Sequence, residues 1–78
     1  MSEDTRKLVV NIVLDTAPEL DVSESDTSKH LREELGLDSM DFLDIVTRIY
    51  EETGVEIPES DYEQLESIDD LVSYVEEH

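Results

Sequence analysis

Apolar positions recur along the chain at helical spacing. Leu8, Val9, Ile12 and Val13 fall at i, i+1, i+4 and i+5, the face of a helix turned to a core, and Val10 and Leu14 widen it. The segment runs from about Ser2 to Asp15, with Glu3 and Asp4 where a helix dipole favours acids. Its β-branched residues also suit a strand, but strict alternation is absent, so the spacing predicts a helix. Ala17-Pro18 ends it. Glu19 to Lys29 is polar and reads as a long loop, pinned to the core by Leu20 and Val22. His30 to Leu35 suits one helical turn, with Leu31 and Leu35 four apart on one side. His30 is expected to be exposed. No His, Cys or acid is spaced to share a catalytic or ligand role with it.

A second helix is expected from Ser39 to Thr53, with Gly54 as its C-terminal cap. Asp38 and Ser39 both suit its N-terminal cap. Met40, Leu43, Val46, Ile49 and Tyr50 are expected on its buried side, with Asp41, Asp44, Arg48 and Glu51 opposite. Val55-Glu56-Ile57-Pro58 reads as a short extended link. A short third helix is expected over Ser60 to Leu65, with Pro58 as its entry. Ser67-Ile68-Asp69-Asp70 has the pattern of a capping box. Ile68, Leu71, Val72 and Val75 then form the stripe of a fourth helix that ends near Glu77. The pattern predicts an all-α fold: a small bundle of three main helices plus one short helix, with a long first loop. Residues 1–78 are expected to form one domain.

Charge adds to this picture. The net charge is −18, and from Ile49 onward there is no Lys or Arg. Nucleic acid and anionic membrane surfaces would be repelled. Partners with basic patches would be drawn in. No Cys is present, so the chain has no thiol chemistry of its own. No apolar run suits a membrane span and no signal peptide is seen, which makes the cytoplasm the expected location. Clusters such as Glu51-Glu52 with Glu56 lack a calcium-loop pattern, so no metal site is expected.

One stretch carries chemistry. In Leu35-Gly36-Leu37-Asp38-Ser39-Met40 a glycine turn leads into a helix start that holds a serine. On position alone, Ser39 reads as a cap and nothing more. No base is spaced to activate it, and the pattern is not the Gly-x-Ser-x-Gly elbow of hydrolases. The stretch resembles the Leu-Gly-x-Asp-Ser-Leu/Met core of acyl carrier proteins. The similarity extends from about Thr5 to Val75 and includes the long first loop and the Val55-Glu56-Ile57-Pro58 link.

The resemblance implies that Ser39 carries a phosphopantetheine arm, donated from coenzyme A by a phosphopantetheinyl transferase, and that the chain is a carrier and not an enzyme. It implies docking of acyl-transferring, synthase or ligase enzymes with basic patches on Asp38, Met40, Asp41, Asp44, Glu51 and Glu52. It also implies an acyl cavity, for which Leu43, Ile45, Val46, Ile49, Ile57 and Leu65 are candidates beside plain core packing. A monomer is expected. Met40, Phe42, Arg48 and Thr53 differ from the commonest fatty-acid carriers and leave a specialised lipid or polyketide pathway open. Two alternatives stand beside this reading. One is an aminoacyl carrier, whose usual Gly-Gly-x-Ser is absent here. The other is an unmodified acidic adaptor for basic proteins.

Overall fold

A computed structural model describes residues 3–20 and 22–78. The expected start at Ser2 and the loop residue Asp21 lie outside the described residues. Helix α1 spans Glu3–Thr16 and buries Val9, Val10, Ile12 and Val13, while Leu8 and Leu14 sit half-buried at the rim. Ala17 extends its ladder by one bond, its N–H donating to the Val13 carbonyl at 2.9 Å. Pro18 has no N–H to continue it.

The long loop is more ordered than its composition suggests. Leu20 and Val22 hold it to the core as expected, Leu20 half-buried and Val22 buried. A 3-10 turn at Glu24–Asp26, which no apolar period announces, is tied by Ser23 N–H donating to Asp26 Oδ2 at 3.0 Å. Lys29 Nζ then pairs with Asp26 Oδ1 at 2.9 Å. That bond, with the one from Ser23 N–H, holds the Asp26 carboxyl below the ordinary carboxylate range and raises the Lys29 ammonium.

The loop is also bonded to the far end of the chain. Leu31 N–H donates to the Glu66 carbonyl at 2.7 Å and Asp69 N–H to the Thr27 carbonyl at 2.9 Å. His30 forms an isolated antiparallel bridge with Ser67. His30 is accordingly half-buried and not exposed. Its Nδ1 accepts from Arg32 N–H and Glu33 N–H, both at 3.2 Å, and so starts the turn that carries Leu31, which is buried.

Helix α2 spans Ser39–Thr53. Gly54 ends it at φ 77°, a backbone angle that side-chain-bearing residues resist, and its N–H donates to the Tyr50 carbonyl at 2.8 Å. Thr53 bridges the end, donating from Oγ1 to the Ile49 carbonyl at 2.6 Å and accepting from Val55 N–H at 3.1 Å.

The buried side differs from the expected one. Phe42, Ile45, Val46 and Ile49 face the core, whereas Met40, Leu43 and Tyr50 are 76%, 50% and 53% exposed. Apolar residues cover a broad arc of this helix, and only part of that arc is packed into the common core.

The link through Ile57, which is buried, leads to a 3-10 turn at Glu59–Gln64. That turn stands where a short helix over Ser60 to Leu65 is predicted. Leu65 closes it and is buried.

Helix α3 spans Ile68–Glu77 behind the predicted capping box. Ser67 Oγ accepts from Asp70 N–H at 3.2 Å, and Asp70 Oδ2 accepts from Ser67 N–H at 3.2 Å. Ile68, Leu71 and Val72 are fully buried. Helix α1 packs against both α2 and α3, so the three stripes close around one core. Glu76 and Glu77 stand at the end of α3, where acids oppose the helix dipole. Among the described residues no helix is long and apolar enough to cross a membrane.

Candidate functional site

The site is assembled where the loop meets α2. Gly36 turns the chain at φ 77°. A Cβ there would meet nothing within 4 Å, so the backbone angle, not crowding, selects glycine. Leu37 is buried and its N–H donates to the Leu31 carbonyl at 2.9 Å. This anchor fixes where the next two residues emerge. Asp38 caps α2, its Oδ1 accepting from Asp41 N–H at 2.8 Å. Ser39 is therefore the first helical residue and not the cap, and it is exposed.

Ser39 opens onto a groove of about 190 Å³ whose walls are Arg32, Phe42, Leu43, Glu59 and Tyr62. Phe42 and Tyr62 meet edge to face, with ring centroids 5.2 Å apart and planes at 73°. Such a pair contributes about 0.5–1.5 kcal/mol beyond its buried area. It joins α2 to the 3-10 turn and forms part of the groove wall. Half-buried Asp41 lies on the same first turn. Its partial desolvation, and then the charges of Asp38, Glu19 and Asp44, push its carboxyl above the ordinary range.

The expected site residues separate into three places. Asp38, Met40 and Asp41 surround Ser39, all exposed or half-exposed. Asp44, Glu51 and Glu52 lie further along α2, where with Arg48 and α1 they line a second, larger groove of about 600 Å³. Of the cavity candidates, Ile45, Val46, Ile49, Ile57 and Leu65 are buried in the common core. Leu43 is half exposed on the wall of the Ser39 groove instead. Arg32, Glu59 and Tyr62 were not among the sequence candidates. The available signal was that Arg32 is the basic residue nearest to Ser39 in the chain.

The arrangement does not suit nucleophilic catalysis by Ser39. Its side chain has no hydrogen bond to a base among the described residues. The Nδ1 lone pair of His30 is occupied by two backbone N–H groups. No group of His or acids that could hold a metal ion occurs among the described residues. An exposed, unengaged hydroxyl beside an open groove suits attachment instead.

Comparison with known proteins agrees with this geometry. Residues 7–75 match the phosphopantetheine attachment site family. An acyl carrier protein of Rubrobacter xylanophilus is 32% identical over 77 residues, covering 96% of this chain and 95% of that protein. One from Campylobacter concisus is 40% identical over 74 residues, covering 95% and 90%. A third, from Zymomonas mobilis, is 44% identical over 46 residues, and there the chain spans 59% of that protein's length. The chain belongs to the acyl carrier protein family, a class defined by its phosphopantetheine attachment site.

Proposed function

We propose that this chain is a carrier of acyl groups, that it is not itself an enzyme, and that Ser39 is its point of attachment for phosphopantetheine. The observation that carries this reading is the placement of Ser39. Its hydroxyl is exposed, has no partner among the described residues and opens onto a groove with one cationic wall residue. When bound, the group supplies the thiol that the Cys-free chain lacks, able to hold an acyl chain as a thioester.

The chain's own residues present and shield that position. Gly36 and Leu37 fix the emergence of the helix start, and Asp38 holds its first turn. Met40, 76% exposed beside Ser39, offers an adaptable apolar contact to a docking enzyme. Asp38 and Asp41 flank it, and Asp44, Glu51 and Glu52 carry negative charge further along α2, which basic partner surfaces would seek. Transferases, synthases and ligases are the partner classes this implies, in the cytoplasm.

The test is intact mass after incubation with coenzyme A, Mg²⁺ and a broad-specificity phosphopantetheinyl transferase. One added arm is expected on the wild type and none on Ser39→Ala. A wild type that stays unmodified overturns the reading in favour of an unmodified adaptor.

A further inference from the structure

The groove beside Ser39 holds a charge that no partner in the fold accounts for. Arg32 is exposed, and its guanidinium makes no hydrogen bond or ion pair among the described residues. It lines the same groove as Ser39 and Tyr62. The other cations are differently placed. Lys29 is tied to Asp26, Arg48 lines the second groove, and Arg6 and Lys7 belong to α1. Around Ser39 the remaining charges are acids: Asp38, Asp41 and, in the same groove, Glu59. A phosphodiester on Ser39 would therefore meet like charge on several sides.

We propose that Arg32 is a positioning residue that binds the phosphodiester of a group attached at Ser39 and holds the start of the arm along the Phe42–Tyr62 wall. The proposal rests on the carrier reading above. Arginine suits the role because its planar fork matches two oxygens of one phosphate and it remains charged at any physiological pH. It also offsets the repulsion from Asp38 and Asp41 at the point where the arm adds a further negative charge. Glu59 lines the same groove and competes with the phosphodiester for Arg32, which makes the clamp a loose one that a docking enzyme can open.

The experiment compares the full chain before and after arm addition, in wild type, Arg32→Gln and Arg32→Lys, with completeness of addition read by mass. Arg32 is exposed, so neither variant disturbs the core. In nuclear magnetic resonance the side-chain Nε–H signal of Arg32 should move on arm addition while those of Arg6 and Arg48 stay in place. At low ionic strength, the change in Tm on arm addition should be less favourable in Arg32→Gln than in wild type by about 2–4 °C. Arg32→Lys should restore part of the difference, and added salt should shrink it. An Arg32 signal that stays in place, together with an equal Tm change in wild type and Arg32→Gln, overturns the proposal while leaving the carrier reading intact. Failure of the wild type to gain the arm's mass overturns the carrier reading itself.

Discussion

Helices α2 and α3 begin with the same device put to opposite uses. Each has an oxygen-bearing cap that accepts from the N–H three residues on: Asp38 from Asp41, Ser67 from Asp70. At α3 the bond is returned by Asp70, the cap is buried, and the next residue, Ile68, is fully buried. At α2 the cap is exposed, and the next two residues, Ser39 and Met40, are exposed as well. One start is closed to hold the bundle together. The other is open to present a hydroxyl. A helix start can serve display only if the load of folding is carried elsewhere.

The largest expected contrast lies just inside the two caps, at Ile68 and Met40. Ile68→Ala removes a fully buried side chain and should cost about 2–5 kcal/mol. Met40→Ala should stay within about 0.5 kcal/mol. Urea unfolding reads both, and a costly Met40→Ala would mean that the open start also bears structure. The caps themselves come next. Ser67→Ala should cost about 1–2 kcal/mol, because it also leaves a half-buried Asp70 N–H without its acceptor. Asp38→Ala should cost about 1 kcal/mol or less, and Asp38→Asn still less, since the amide oxygen keeps the cap and a charge is removed from an acidic turn.

The smallest effect concerns charge at the open start. The Asp41 carboxyl is pushed up on folding, by partial desolvation first and by neighbouring acids second. A raised folded value means that its favourable contribution is complete only below the ordinary range, about 3.9, and is lost as pH rises through the folded value. Asp41→Asn should therefore raise Tm slightly at neutral pH, with the gain fading as pH is lowered towards that range. Asp26 provides the opposite sign. Its carboxyl is held down by Lys29 and Ser23, so its contribution is present above the ordinary range and lost as pH falls through the lower folded value. Thermal melts of Asp41→Asn and Asp26→Asn across acidic pH should show the two trends diverging.

Much of this was legible from spacing. The Ser67 box, the Gly54 cap, the stripes of α1 and α3, and the turn before Ser39 follow from residue type at fixed offsets. The face of α2 did not. Apolar residues from Met40 to Tyr50 cover so wide an arc that the expected stripe sits roughly 80° around the axis from the packed one, at 3.6 residues per turn. Val46 and Ile49 belong to both stripes, so periodicity alone could not separate them. What decides is where the other elements pack against it, among them the 3-10 turn whose Tyr62 meets Phe42, a tertiary fact. Arg32 and Tyr62 escaped notice for a similar reason. They lie far apart in the chain, and only the meeting of the loop with the 3-10 turn places both against Ser39.

The backbone bonds from Leu31 to Glu66 and from Asp69 to Thr27 form a seam between two distant parts of the chain. Arg32 stands just after one side of that seam, and Tyr62 a few residues before the other. The two rims beside Ser39 are thus hinged on a common spine. A disturbance at Thr27 or Glu66 would alter the gap between those rims without touching any side chain that lines it.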